Sequence, residues 1–92
     1  MKLKPEYSIC YDEDDICLTQ RLPDGTEREV APLTASAAMA IEALGRGMDR
    51  DSVIDAVMTE FSVQDRDLIA ADLDALLAQL RRLDYVTEEP VQ

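Results

Sequence analysis

The sequence predicts an α+β fold in which a three-stranded antiparallel sheet is followed by three helices. Apolar residues alternate with polar ones from about Glu6 to Val30, which is typical of half-buried strands. From about Ala35 to Leu83 they recur instead at the spacing of one helix face. Because 47% of the 92 residues are apolar and the aromatic residues are three Tyr and one Phe, we expect an aliphatic core.

Length and charge restrict the class of protein. One domain is expected to cover residues 1–92, with an ordered fold over about 4–86 and an acidic tail over 87–92. The formal net charge of −11 repels a phosphate backbone, so we expect no nucleic-acid partner. No stretch approaches the roughly 20 apolar residues of a membrane span, and no apolar signal region follows Met1. We therefore expect a cytoplasmic protein with no membrane partner and with both cysteines reduced.

The first predicted hairpin turns at the acidic run Asp12-Glu13-Asp14-Asp15. The run lacks the spaced ligands and central Gly of a calcium loop, so we interpret it as a solvated turn. With these residues as the loop, every apolar side chain of the hairpin lies on one face. The expected pairs are Tyr11 with Ile16, Cys10 with Cys17, and Ile9 with Leu18.

The second predicted hairpin turns within Leu22-Pro23-Asp24-Gly25-Thr26, where Gly25 suits the left-handed last position of a three-residue loop. The expected pairs are Arg21 with Glu27 and Leu18 with Val30. The third predicted strand, about Thr26 to Ala31, stops at Pro32, and no fourth strand follows it. Its outer edge is therefore expected to be unpaired.

The first two helices have recognisable caps. Thr34 is the expected N-cap of a helix over about Ala35 to Leu44, which Gly45 and Gly47 terminate. Asp49 is the expected N-cap of the second helix, and Ser62 to Asp65 breaks it. The buried stripe of that second helix is predicted to be Val53, Ile54, Val57, Met58 and Phe61.

The third helix, about Arg66 to Leu83, carries the clearest helical periodicity in the chain. Its predicted apolar seam is Ile69, Leu73, Leu76, Leu80 and Leu83, widened by Leu77. After the helix, Asp84-Tyr85-Val86 is expected to form a short extended segment.

The inventory of reactive side chains argues against catalysis. The chain has no His, which removes the commonest general base, the commonest metal ligand and every Ser-His or Cys-His pairing. Cys10 and Cys17 are predicted cross-strand neighbours on the outer face of the first hairpin, where a disulfide is the alternative to two reduced thiols and where a metal would find only exposed carboxylates as further ligands. Asp72 and Asp74 point in different directions on a helix, so they do not form an acid-base pair. We therefore expect no enzyme activity, no cofactor and no metal.

Several stretches, in this order and spacing, resemble the PqqD-like family of RiPP precursor recognition elements, whose topology is winged-helix-like. The stretches are Leu33-Thr34-Ala35-Ser36-Ala37-Ala38, Ala43-Leu44-Gly45-Arg46-Gly47, Asp51-Ser52-Val53-Ile54-Asp55-Ala56-Val57, Asp72-Leu73 through Leu76-Leu77, Leu80, and Leu83-Asp84-Tyr85-Val86. The resemblance covers about Lys4 to Val86. Asp84-Tyr85 stands where the family usually has Gly-Leu.

The resemblance implies a non-catalytic protein that binds the leader of a ribosomal precursor peptide and delivers it to a separate maturation enzyme, for example a radical-SAM enzyme. The leader would add as an antiparallel strand to the third predicted strand and pack against the third helix. The implied backbone ladder is Glu27, Arg28, Glu29 and Val30, and the implied groove residues are Ile69, Asp72, Leu73, Leu76 and Leu77. Which flank of the helix faces the strand stays open.

Two other functions and one other partner stay open at this level. A winged-helix transcription regulator needs a cationic helix, whereas the third helix offers Arg66, Arg81 and Arg82 against Asp67, Asp72 and Asp74. A protein-protein adaptor would dock a folded surface rather than an extended peptide. An open strand edge can also pair with a second copy of the chain, forming a homodimer.

Overall fold

The computed structural model describes residues 1–88, which form an α+β fold with a three-stranded antiparallel sheet followed by three helices, as predicted. Residues 89–92 of the predicted acidic tail lie outside the described residues. The elements in chain order are β1 (Lys2–Leu3), β2 (Tyr7–Tyr11), β3 (Ile16–Arg21), β4 (Glu27–Pro32), α1 (Ala35–Gly45), α2 (Arg50–Phe61), α3 (Arg66–Arg82) and β5 (Val86–Thr87).

The β2-β3 hairpin has the predicted register. Tyr11 is opposite Ile16, Cys10 is opposite Cys17 and Ile9 is opposite Leu18. The backbone N–H of Asp12 donates to the carbonyl of Asp15 at 2.8 Å and closes the acidic turn. Successive side chains of a strand point to opposite faces, so this register places Leu18 on the buried face of the sheet, where it is only 1% exposed.

The β3-β4 hairpin follows the prediction near its turn and departs from it further along. Arg21 is opposite Glu27, and the N–H of Leu22 donates to the carbonyl of Thr26 at 2.7 Å. The predicted pairing of Leu18 with Val30 is wrong, because the register shifts between Leu18 and Thr19 and places Ala31 opposite Leu18. Val30 is the extra residue of a β-bulge, a feature that simple alternation does not reveal.

All three helices begin at a side-chain cap. The side-chain oxygens of Thr34, Asp49 and Asp65 accept from backbone N–H groups three residues later, at 3.1, 2.8 and 3.1 Å. Thr34 and Asp49 are the predicted caps, whereas the sequence pattern identifies Asp65 only as part of a helix-breaking segment. At the other end of α2, Ser62 adopts the left-handed conformation with φ 54°.

The core lies mainly between the helices. One buried cluster joins α1, α2 and α3, and consists of Ala40, Ala43, Val53, Ile54, Val57, Leu73 and Leu77. The prediction that Phe61 and Leu83 are buried is wrong, because Phe61 is 38% exposed and Leu83 is 43% exposed. Both occupy helix ends, where the periodicity continues but no neighbouring element covers the side chain.

A two-stranded ribbon, β1 with β5, holds the two ends of the described chain together. Lys2 pairs with Thr87 and Leu3 with Val86, and Val86 is buried against Ile41 and Leu80. The predicted extended segment after α3 therefore pairs with β1, a strand that the sequence pattern does not reveal. Two residues are too few to show an alternation.

Candidate functional site

The sheet order β2-β3-β4 leaves the outer edge of β4 without a neighbouring strand in residues 1–88. Bonded and non-bonded pairs alternate along an antiparallel ladder. Leu22 and Thr26 form a hydrogen-bonded pair. The next pair along the ladder, Arg21 with Glu27, is therefore not hydrogen-bonded, and the pair after it, Gln20 with Arg28, is hydrogen-bonded. In agreement, the N–H of Arg21 points away from β4 and donates to the carbonyl of Glu6, the residue before β2, at 2.7 Å.

This alternation divides the backbone groups of β4 into two sets. The N–H and C=O groups of Glu27 and Glu29 point out from the open edge, whereas those of Arg28 point toward β3. Val30 lies in the bulge. Of the predicted ladder residues, Glu27 and Glu29 thus have the orientation that an added strand needs. That all four residues contact a peptide stays a prediction.

The side chains of β4 also alternate, between the face of the sheet that is turned toward the helices and the outer face. Residues directly opposite each other share a face, so Arg28 lies on the face that carries Gln20 and Tyr7. The Tyr7 ring lies 4.9 Å from that of Tyr85, just after α3, which identifies this face as the helix side. Glu27 and Glu29 lie on the outer face.

A cleft of about 400 Å³ opens where α1, α2 and α3 meet. It begins at Thr34, two residues after the end of β4, and α2 contributes its apolar floor. The residues lining it are Thr34, Ser36, Ala37 and Ala40 from the start of α1, Val53, Ile54 and Val57 from α2, and Ile69, Asp72, Leu73, Ala75, Leu76 and Gln79 from α3.

Four of the five predicted groove residues of α3, namely Ile69, Asp72, Leu73 and Leu76, line this cleft. Leu77 does not line it and packs into the buried helix cluster at 9% exposure. The cleft thus identifies which flank of α3 is open. Peptide contact by any of the five residues stays a prediction.

Sequence reasoning missed the other polar groups at the cleft, Thr34, Ser36 and Gln79. Gln79 could have been found from spacing, because it follows Asp72 and Leu76 on the same helix face. Thr34 and Ser36 could not, because their position depends on how α1 packs against α3.

Ion pairs occupy most of the arginines on the helices. Arg50 binds Asp74 with both Nε and Nη2, at 2.9 and 2.8 Å, and this lowers the pKa of Asp74. Arg66 is paired with Asp55, and Arg81 is paired with Glu88. All these pairs are exposed, so they contribute little to stability. Each of them nevertheless neutralises the positive charge of an arginine with a carboxylate.

On the sheet, by contrast, Arg28 donates through Nε only to the neutral Gln20, at 3.0 Å. No acidic side chain pairs with Arg28 within residues 1–88. In a chain of net charge −11, this is a cation whose charge is not neutralised by a neighbour.

Two other features of the sheet surface have a defined chemistry. Cys10 and Cys17 are free thiols, and partial burial, helped by Glu29 and Cys10, raises the pKa of Cys17. The hydroxyl of Tyr11 donates to Oε1 of Glu42 at 2.6 Å, which is the main reason that the pKa of Tyr11 rises to about 12. No group of three or more His, Cys, Asp or Glu side chains within residues 1–88 has the arrangement of a metal site.

Comparison with protein-family models gives no match, and neither does comparison with curated proteins. Among solved structures, the chain matches one described as TbiB1 in complex with the TbiA(beta) leader peptide. The match has a TM-score of 0.70 and 24% sequence identity, and covers 99% of this chain and 100% of that one. This likeness shows a shared fold. No helix in residues 1–88 has the length and apolar character needed to cross a membrane.

Proposed function

We propose that this protein binds the leader segment of a ribosomal precursor peptide and delivers it to a separate maturation enzyme, without catalysing a reaction itself. The observation that carries the proposal is the open edge of β4, because this strand ends at Pro32, two residues before Thr34 at the rim of the cleft that α3 lines.

The backbone of the leader supplies the first part of the binding energy. An extended peptide placed antiparallel to β4 forms hydrogen bonds with the outward groups of Glu27 and Glu29. These bonds do not depend on the peptide's side chains. They therefore explain affinity for an extended segment but not selectivity among segments.

The cleft supplies the second part. A peptide antiparallel to β4 has its upstream residues at the Pro32 end of the strand, next to Thr34 and the cleft. Apolar side chains from this upstream part bury against Ile69 and Leu76. The cleft volume of about 400 Å³ lies within the range of pockets that bind small molecules, so the cleft has room for side chains of the peptide.

The solved structure with the same fold supports the choice of ligand, since it is described as a complex with a leader peptide. A non-catalytic role agrees with the chemistry of the chain. No polar or charged side chain is buried in residues 1–88, whereas catalytic groups are usually held in a shielded site with a perturbed pKa. A DNA-binding role is disfavoured because the arginines Arg50, Arg66 and Arg81 are already paired with carboxylates.

Amide NMR on the full chain tests the binding mode. The ligand is the leader encoded by a short precursor reading frame beside a maturation-enzyme gene. We expect this leader to shift the amides of Glu27 and Glu29 and to slow their hydrogen exchange. Binding that leaves both amides unchanged would refute strand addition and would favour an adaptor that docks a folded surface.

Delivery is tested separately with the same partners. We expect the maturation enzyme to modify the precursor faster when this chain is present, and we expect a precursor without its leader to lose that acceleration. A chain that binds the leader but does not change the modification rate would refute the delivery step and leave the binding step intact.

A further inference from the structure

The open edge of β4 has an alternating pattern of charge. Glu27 and Glu29 lie on the outer face of the sheet, and Arg28 lies between them on the helix side. All three side chains are exposed. Glu27 already has a cation opposite it, because Arg21 is its partner on β3.

Arg28 and Glu29 lack such a compensating neighbour. Arg28 is opposite Gln20, which accepts its hydrogen bond but carries no charge. Glu29 is opposite Thr19 and lies near the thiol of Cys17. Neither Arg28 nor Glu29 forms an ion pair within residues 1–88. The edge therefore presents one positive and one negative charge, adjacent in sequence and on opposite faces.

An added antiparallel strand brings its own side chains directly opposite these two. Cross-strand partners have Cβ atoms about 4.5–5.5 Å apart and share a face, so charges on them interact. Because the backbone groups of Arg28 point away from the new strand, its partner forms a non-bonded pair, in which side chains approach most closely. An acidic partner is therefore favoured opposite Arg28, and a basic partner is favoured opposite Glu29.

We infer that the peptide bound at this edge carries a basic residue immediately followed by an acidic residue. The inference rests on the proposed function. In an antiparallel strand, the residue opposite Glu29 precedes the residue opposite Arg28, which fixes the order as basic and then acidic. The two side chains project to opposite faces, the basic one to the outer face and the acidic one to the helix side.

The same pattern disfavours pairing between two copies of the chain. In a two-fold antiparallel pair of β4 strands centred on residue 27, 28 or 29, the central residue is opposite itself. Glutamate then faces glutamate, or Arg28 faces Arg28, and like charges directly opposite each other are destabilising. The edge thus disfavours these pairings with its own copy and favours a strand with the complementary order of charges.

Selection from a library of randomised peptides displayed on phage tests the inference with the full-length chain. Peptides selected by the wild-type chain are expected to be enriched in Lys or Arg followed directly by Asp or Glu. The double variant Arg28→Glu/Glu29→Lys reverses both charges of the edge and is expected to select the reverse order. Exchanging the two residues of a selected peptide should weaken its binding to the wild-type chain about threefold to thirtyfold, because attraction becomes repulsion at both positions.

A matched control uses Arg46→Glu/Glu60→Lys, which makes the same change of charge at exposed positions outside β4 and the cleft. This control is expected to select the wild-type order. Amide NMR and circular dichroism show that each variant is folded before selection.

The outcomes separate this inference from the proposed function. Selected peptides that shift the Glu27 and Glu29 amides but show no charge order, or an order that the edge variant does not reverse, overturn the inference and leave peptide binding intact. Selected peptides that leave those amides unchanged overturn both. An order that reverses with the edge variant and not with the control supports both.

Discussion

A proline at Glu29 should weaken peptide binding while leaving the sheet folded. The N–H of Glu29 points out from the open edge of β4, so no bond of the β3-β4 ladder depends on it. Proline is tolerated at such a position because it removes only a donor that faces away from the sheet.

The magnitude follows from the loss of one hydrogen bond. A backbone hydrogen bond contributes about 0.5–1.5 kcal/mol net, which corresponds to about a twofold to tenfold rise in Kd. Glu29→Pro also removes a charge, so Glu29→Gln is the matched control that removes the charge and keeps the donor. The difference in Kd between these two variants measures the donor alone.

Isothermal titration calorimetry with a library-selected peptide gives both Kd values, and urea unfolding gives the stability of each variant. We expect Arg28→Pro to behave differently and to lower folding stability by about 1–3 kcal/mol, because it removes a donor that faces β3 and leaves the acceptor on β3 without a partner. Equal Kd values for folded Glu29→Pro and Glu29→Gln would refute the placement of the peptide on this edge. A loss of folding for Glu29→Pro but not for Arg28→Pro would show that the alternation along β4 has been assigned the wrong way round.

Three further predictions concern the scaffold. Ser62→Gly should raise the free energy of unfolding by about 0.5–1 kcal/mol, because glycine adopts the left-handed conformation of this residue without a Cβ clash. Leu77→Ala should lower it by about 2–5 kcal/mol, since the side chain is 9% exposed within the helix cluster. The third prediction concerns pH. Because the folded-state pKa of Tyr11 is raised from 10.0 to about 12, its bond to Glu42 stabilises the fold below about pH 10 and is lost as pH rises through about 12. Urea unfolding measures all three.

Each of these predictions has a control in the same chain. Ser52→Gly, within α2, should lower stability by about 0.5 kcal/mol, so stabilisation by both glycines would contradict the backbone argument. Leu83→Ala, at a residue 43% exposed, should cost clearly less than Leu77→Ala. In Tyr11→Phe, the free energy of unfolding should no longer show the decrease between about pH 10 and 12 that the Tyr11 hydroxyl causes. An unchanged pH profile would contradict the assignment of that decrease to Tyr11.

The local features of the fold are readable because they depend on neighbours in sequence. The acidic turn brings Tyr11 opposite Ile16, and alternation then determines the rest of the β2-β3 register. Thr34 and Asp49 cap helices because a short side chain with an oxygen acceptor precedes a periodic apolar segment. These relations involve few residues and little loop entropy, so no distant contact overrides them.

The departures occur where distant segments meet or where a periodic pattern ends. Val30 bulges out of the β4 ladder, and a pattern of alternation cannot show where an extra residue is inserted. Phe61 and Leu83 continue the helical periodicity but lie beyond the elements that would cover them. Strand β1 forms only because β5 returns beside it after three helices.

Residue types and local spacing are enough to predict the three-stranded sheet followed by three helices, the register of the first hairpin and the lack of a histidine-based catalytic site. Neither the backbone groups of β4 that face outward nor the flank of α3 that opens into a cleft can be predicted in this way. Those two facts depend on how the sheet register and the helix packing combine. A strand has two edges and a helix has a full circumference, and only packing determines which edge and which part of the circumference remain exposed.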